Sequence, residues 1–254
     1  MSKEDSMQTI DRAMQIIKSF SINEKELSLA DLHRMLGLSK SSLQRILNTL
    51  VLHGVIDKDE EKKTYQLGIE LYFLGQLVEK NSHLLSISKP FMENLRDEFG
   101  ETVSLNIIYQ KQRRCIGHVS GKHELMTLVY TGQTSPLHKG ASAKILLAYL
   151  PQEELYTLLN ELALEQKTEM IISDKEKLEQ ELAKIRQNGY AISNGERVIG
   201  AFSVSAPIRN RLDEVIAGIT LTIPTVRVEK GKIDLYIKHV KSIAASISNK
   251  LIEG

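Results

Sequence analysis

Apolar residues in the first fifth of the chain recur at helical spacing, in three separate runs. Ile10, Ala13, Met14 and Ile17 share one face of a segment over residues 8–20, closed by Phe20, which predicts a first helix. After the polar connection SINEKEL, the stretch from Leu27 to Ile56 divides at Gly37. Leu29, Leu32 and Leu36 stripe its first half, and Leu43, Ile46, Leu47 and Leu50 its second, at offsets of three, four and seven. Ser28 suits the N-cap of the first of these helices, with Asp31 as an acidic capping-box partner. Gly37 suits the left-handed residue that stops a helix, Ser39 caps the next, and Gly54 ends it. Val55-Ile56, the charged run DKDEEKK and Thr64–Leu67 then predict a β-hairpin, which Gly68 closes.

Residues 69–80 are apolar over more than half a turn: Ile69, Leu71, Tyr72, Phe73, Leu74, Leu77 and Val78. A helix that apolar needs a partner, and a second copy of the chain is the preferred one. A further helix over Leu84–Phe99 holds Pro90 near its middle, which predicts a kink or two shorter pieces. There the period changes to two. ETVSLNIIY, RRCIGHVS and HELMTLVY read as three successive strands, the first two joined by a turn at QKQ. A loop runs into a helix at about Ala141, and Pro151-Gln152 opens another through about Leu162. Ser173 with Glu176 forms a capping box for a helix ending before Gly189. Strands follow at Tyr190–Ser193, Phe202–Ile208 and Glu214–Ile223, the last two joined by the polar turn RNRLD. Residues 226–252 are mostly helical, with Ile233, Ile237, Val240, Ile243 and Ile247 on one face. This order argues an α+β fold rather than repeated βαβ units.

The 254 residues suit two domains, and 42% hydrophobic with 26% charged residues is the balance of a soluble globular protein. No apolar run is long enough to span a bilayer, and the N-terminus lacks a signal-peptide core. Cys115 is the sole cysteine, which excludes an internal disulfide and fits a reducing cytoplasm. A net charge of +1 gives no support to nucleic-acid binding by itself. Residues 1–68 hold ten Lys/Arg and ten Asp/Glu, so what matters is where charge sits. From Leu32 to Ile56 there is no acidic residue, while Arg34, Lys40 and Arg45 are present. A surface approaching phosphates requires that distribution.

Two short helices around a glycine turn, followed by a hairpin, describe a winged helix-turn-helix. The outer face of the second helix carries Lys40, Ser41, Ser42, Gln44, Arg45, Asn48 and Thr49. Arg forks onto guanine, Gln pairs with adenine, and Ser takes either role or binds phosphate. The alternative is an ordinary helical hairpin with a solvated face. The sequence resembles the IclR-type bacterial transcription regulators, through QTIDRAMQIIKSF, LSLADLHRMLGLSKSSLQRILNTLVLHGVI and the closing YQLG of the wing. The DNA-binding residues expected on this basis are Ser39, Lys40, Ser41, Ser42, Gln44, Arg45 and Thr49.

Three segments of the C-terminal half invite chemistry. HKGASAK sits at a loop-to-helix junction, where small residues let an anion approach backbone N–H groups; a plain tight helix start is the alternative. GYAISNGERVIGAFSVSAPI is a glycine-punctuated loop entering a strand, and ITLTIP places Thr220 and Thr222 on one strand face. These segments are similar to the IclR effector-binding domain, so the resemblance spans nearly the whole chain. Gly189, Ser193, Glu196, Ser203, Val204, Ser205, Ile208 and Asn210 fit the family signature. Arg209 stands where an aromatic or His is usual, and Gly195-Glu196 replaces a pair of acids, so ligand identity does not carry over. The resemblance implies an effector pocket at Ala141, Ser142, Ser193, Ala201, Ser203, Thr220 and Thr222. Hydroxyls and backbone amides around small apolar groups suit a small carboxylate metabolite.

Cys115 with His118 is too little for a nucleophile and an oriented base, and His118, His123 and His138 are scattered. No catalytic residue, metal site or cofactor is therefore expected. The combined expectation is an α+β protein: a winged helix-turn-helix domain over 1–68, a linker and dimerisation helix over 69–82, and an effector-binding domain over 83–254. The last would be a GAF-like antiparallel sheet with flanking helices. Such a protein is a cytoplasmic, ligand-responsive, sequence-specific DNA-binding regulator, by family habit a repressor. It reads double-stranded DNA with paired half-sites as a homodimer or dimer of dimers, binds an organic acid, and has no membrane partner. The rival is a small-molecule enzyme or carrier with a helical protein-interaction module at its N-terminus.

Overall fold

The structure, a computed structural model, describes residues 7–161 and 175–253 and divides into two compact units between Asn81 and Ser82. The Ser173–Glu176 capping box lies partly outside the described residues. No described helix is long and apolar enough to cross a membrane.

The N-terminal unit runs α1 (Gln8–Ser19), β1 (Leu27–Ser28), α2 (Leu29–Leu36), α3 (Lys40–Leu52), β2 (Ile56–Asp59), β3 (Thr64–Leu67) and α4 (Glu70–Asn81). Local chemistry sets its boundaries as the sequence implied. Ser28 Oγ accepts from the Asp31 N–H (3.2 Å), and the Asp31 carboxylate accepts from the Ser28 N–H (3.0 Å) and hydroxyl (2.6 Å). These bonds from Ser28, with the Arg34 charge adding less, hold the Asp31 carboxyl below its usual range. Gly37 ends α2 at φ 67°, and Ser39 Oγ accepts from the Ser42 N–H (3.3 Å) to open α3. Ile16, Leu32, Leu43, Leu47 and Ile56 form a fully buried core, joined by Leu27, Ile46 and Tyr65.

The wing has three strands rather than two, in the order β1-β3-β2. Leu27 pairs opposite Tyr65 and Ser28 opposite Thr64. A two-residue strand is too short to show a period, so alternation could not reveal it. Where the wing returns, the Gly68 N–H donates to the Val55 carbonyl (2.8 Å). A Cβ at Gly68 would stand 2.1 Å from the Gly54 carbonyl oxygen.

The C-terminal unit runs α5 (His83–Phe99), β4 (Thr102–Tyr109), β5 (Gln112–Val119), β6 (Thr134–Ser135), α6 (Ala141–Ala148), α7 (Gln152–Glu161), α8 (Lys175–Asn188), β7 (Ala191–Asn194), β8 (Ala201–Arg209), β9 (Val215–Pro224) and α9 (Ile233–Glu253). α5 is one element with Pro90 inside it, capped by Ser82 and ended by Gly100 at φ 70°. Residues 123–130 do not form the expected strand. Their alternation is real, with Thr127 and Val129 buried and Leu128 exposed, but the Thr127 carbonyl accepts from the Thr102 hydroxyl (3.3 Å) instead of entering a ladder. The place beside β5 goes to β6.

The six strands are ordered β6-β5-β4-β9-β8-β7, with every neighbouring pair antiparallel. Period two gives this sheet two chemically different faces. Val103, Leu105, Phe202, Val204, Ala206, Ile219, Leu221 and Ile223 face α5 and α9, where Met92, Leu95, Val240 and Ile247 complete an apolar core. The intervening residues, among them Ser104, Asn106, Ser205, Thr220 and Thr222, are polar yet also buried. α6, all eight of whose residues are buried, packs against β8 and β9. A second apolar cluster joins α6 to α7 and α8 through Ile145, Leu147, Leu158, Leu178, Leu182 and Ile185.

Gly68→Ala is expected to destabilise the N-terminal unit by about 1–3 kcal/mol, because the added methyl meets rigid backbone. Hydrogen exchange should show lost protection in residues 8–67 with residues 201–224 unaffected; unchanged protection in both would contradict this packing.

Candidate functional site

On α3 the inward side chains Leu43, Ile46 and Leu47 are buried, which turns the opposite face outward. Ser39, Lys40, Ser41, Arg45 and Thr49 are exposed; Ser42 and Gln44 are half-buried. Gln44 is more constrained than its sequence position suggested. Its Nε2 donates to Asn48 Oδ1 (2.8 Å) and to the Tyr65 hydroxyl (3.1 Å), tying α3 to β3 of the wing. Thr49 Oγ1 donates back to the Arg45 carbonyl (3.1 Å). Arg34 is engaged locally with Asp31. Ser41, Ser42, Arg45 and Thr49 line a groove of which Arg12 of α1 forms the other side, a cation that periodicity gave no reason to single out.

In the C-terminal unit, all seven residues selected from three separated segments line one cavity. Ala141 and Ser142 come from the first turn of α6, Ser193 from β7, Ala201 and Ser203 from β8, and Thr220 and Thr222 from β9. The register explains the convergence: Ser193 is opposite Ser203, and Ser203 opposite Thr222, so their hydroxyls form a row across three strands. Ser203 Oγ donates to Thr222 Oγ1 (3.4 Å), and the Ser205 and Thr220 hydroxyls are 2.9 Å apart. The cavity is narrow, with a free volume of about 10 Å³, room for about one water molecule between these side chains.

Sequence reasoning missed Ser104, Arg113, Gly140, Arg197 and Val198, which complete the lining. Arg113 is only 1% exposed. Its Nε donates to Ser135 Oγ (3.0 Å) and its Nη1 to Asn106 Oδ1 (3.0 Å). Asn106 Nδ2 in turn donates to Ser104 Oγ (3.1 Å) and Thr220 Oγ1 (3.3 Å), so the arginine is wired into the hydroxyl face. Burial, then the nearby Arg197 charge, lower the Arg113 guanidinium to about 10. Arg197 lies on the glycine-punctuated loop and donates through Nη1 to Gln133 Oε1 (3.1 Å). One signal was available for Arg113: period two puts it on the same strand face as Cys115, a residue type that is usually buried, and a buried arginine needs a partner.

The α6 N-terminus differs from the expectation of an open anion site. The Gly140 N–H, one of the donors there, is already taken by Glu196 Oε2 (2.9 Å). Glu196 Oε1 accepts from the buried Lys144 Nζ (2.5 Å), which also contacts Glu181 of α8. One cation therefore holds the glycine-punctuated loop against α6 and α8. In the turn just before α6, His138 is buried with neither ring nitrogen hydrogen-bonded, and burial, then the Lys139 charge, push its pKa down to about 4. Among the described residues no group of three or more His, Cys, Asp or Glu is arranged to hold a metal.

Comparison with known proteins assigns both units. Residues 9–60 match the profile of the IclR helix-turn-helix domain, and residues 76–249 that of the bacterial transcriptional regulator IclR C-terminal domain. The chain belongs to the IclR family. It is 30% identical to the HTH-type transcriptional regulator XynR of Escherichia coli K12 over 96% of this chain and 97% of that protein. The HTH-type transcriptional repressor AllR of the same strain is 26% identical, over 96% and 90%. The crystal structure of an IclR homologue from Microbacterium hydrocarbonoxydans, complexed with 4-hydroxybenzoate, superposes at a TM-score of 0.85 with 21% identity, covering 96% of this chain and 99% of that one. An IclR-type regulator carries a DNA-binding head and a ligand-binding domain, and the enzyme or carrier reading is not favoured.

The neutral state of His138 makes the C-terminal unit acid-sensitive. The unfolded chain binds a proton near pH 6.5 that the folded chain binds only near 4, so stability is full above about 6.5 and declines as pH falls towards 4. The decline amounts to roughly 3 kcal/mol. His138→Leu should flatten this part of the urea-midpoint profile; an unchanged slope would assign the acid sensitivity elsewhere.

Proposed function

We propose that the chain acts in the cytoplasm as a repressor that binds double-stranded DNA as a homodimer or dimer of dimers and is controlled by a small organic acid. Ser39, Lys40, Ser41, Ser42, Gln44, Arg45 and Thr49 are its DNA contacts, and Ala141, Ser142, Ser193, Ala201, Ser203, Thr220 and Thr222 its effector contacts. The single observation that carries this reading is the convergence of those seven residues, from four elements, on one enclosed polar cavity in a chain whose α3 presents a polar, acid-free face. The AllR resemblance favours repression.

On the DNA side, the exposed Arg45 can reach base edges, Ser41 shares a 3.3 Å hydroxyl contact with Ser39, and Gln44, its amide donors held by Asn48 and Tyr65, offers its carbonyl oxygen. Lys40, at the start of the helix, suits a backbone phosphate. Pairing of heads rests on α4, which has no buried residue: Leu74 is 49% and Leu77 58% exposed. Covering that face with the same face of a second copy gives the two-fold symmetry that paired half-sites demand. Effector binding then alters DNA affinity through coupling between distinct sites.

Arg45→Ala should cost about 1–3 kcal/mol on an operator selected from genomic fragments and relax preference at one base position. Lys40→Ala should weaken all sequences alike and reduce the salt slope by about one. Anisotropy titrations across salt concentrations check both, and intact affinity and selectivity in Arg45→Ala would remove this face from the reading. Replacing Leu74 and Leu77 together by Asp should yield monomers and weaken operator binding through lost bivalency. Light scattering decides the point, and an unchanged mass would transfer dimerisation to another surface.

A further inference from the structure

The cavity holds two cations that the protein itself leaves without a counter-charge. Arg113 has two of its three guanidinium nitrogens fixed, by Ser135 and Asn106, while Nη2 is buried with no hydrogen-bond partner. Arg197 has a neutral partner, Gln133. Among the described residues neither arginine has an acidic neighbour in ion-pair range. Other cations of this unit are treated differently: the half-exposed Arg227 forks onto Glu101 at 2.7 and 2.8 Å, and the buried Lys144 has both Glu181 and Glu196. Glu196, next to Arg197 in sequence, is committed to Lys144 and the Gly140 N–H. A buried charge without a partner is strongly unfavourable, so its persistence at the wall of a cavity marks the place of an exogenous anion.

The remaining walls describe the rest of that anion. Ser104, Ser142, Ser193, Ser203, Thr220 and Thr222 offer hydroxyls from several directions, whereas the apolar wall is limited to Ala141, Val198 and Ala201. Ser104 and Thr220 are already bonded to Asn106, and Ser203 to Thr222. An aromatic ring would find little apolar surface here, whereas ligand hydroxyls can pair with Ser142 and Ser193 and exchange into the Ser203–Thr222 bond. Resting on the reading of this cavity as the effector site, we infer that Arg113 and Arg197 are its anion anchor and that the effector is a small polyhydroxylated carboxylate of the aldonic-acid type. The carboxylate pairs with the unpaired Nη2 of Arg113 and with Arg197, and the hydroxylated carbons extend along the Ser203–Thr222 row. This places the anion between the guanidinium groups of Arg113 on β5 and Arg197, whose Cβ lies beside Gly140 at the α6 N-cap.

The test is a thermal-shift titration of the full chain with D-glycerate, L-threonate and D-gluconate, the neutral polyols glycerol, threitol and sorbitol, and benzoate. At least one hydroxy acid is expected to raise the wild-type Tm, with its polyol and benzoate inactive. Arg113→Met should weaken that hydroxy acid by about 100-fold or more, the range for removing one partner of a buried charge pair. Arg197→Met, a change on a loop that spares the sheet, should weaken it about tenfold, as for a less buried charged hydrogen bond. It also serves as the arm that decides if circular dichroism shows Arg113→Met unfolded. Ala201→Phe fills the cavity and should abolish the shift. A hydroxy acid that loses affinity in Ala201→Phe but keeps it in both arginine variants would overturn the anchor and leave the cavity as the effector site. One that binds all variants equally would overturn the site as well. Stabilisation by benzoate or a polyol alone, or by no member of the panel, would overturn the hydroxy-acid class.

Discussion

The alternation of side chains across the six-stranded sheet is the constraint on which the ligand-binding unit depends. Each strand must satisfy two faces at once, and here the faces are not core and solvent but two interiors of opposite chemistry. Leu221 and Ile219 pack with α5 and α9, while Thr220 and Thr222, one residue away, turn to the buried polar side. A shift of one residue in the β8–β9 register would drive the hydroxyls into the apolar core and the isoleucines into the cavity. The register is thus specified doubly, and the polar row across Ser193, Ser203 and Thr222 is held where the apolar face requires it.

A buried polar face is sustainable only if its groups find partners, and the structure shows two solutions. The first is self-contained: Asn106 links Ser104, Thr220 and Arg113, and Ser205 donates to the Ile219 carbonyl (2.9 Å). The second is ionic. Lys144, 1% exposed, gathers Glu196 from the loop and Glu181 from α8, so α6 is fastened at its start as well as along its apolar side. Breaking such a buried group by removing one partner is costlier than never having built it, which ties the loop bearing Arg197 to the integrity of the helix.

The DNA-binding unit is organised by shorter-range forces. Its helix pair is bounded by caps made within three or four residues, and a small core of aliphatic side chains sets the angle between α2 and α3. The Gln44–Tyr65 contact then fastens α3 to the wing, so that the two form one continuous surface. Beside this rigid head, α4 keeps its apolar side chains, Leu74 and Leu77 among them, uncovered.

Much of this was legible in the sequence, because the forces concerned are local or periodic. Ser28 with Asp31, Gly37 and Ser39 act within their own turns, so their effect can be read without knowing the fold. Strand alternation likewise assigned Thr220 and Thr222 to one face, and the family resemblance selected seven residues that the sheet register then brought to one cavity. What only the tertiary structure decided depends on partners distant along the chain. Residues 123–130 alternate like a strand, yet no neighbouring strand supplies them with a ladder. Glu196 closes the N-terminus of α6 from 56 residues away, which reverses the electrostatic reading of that helix start. Arg113 counts in the sequence as one of two adjacent arginines. Only pairing with β4 and β6 buries it, turns it to the cavity, and leaves one nitrogen with nothing to bind.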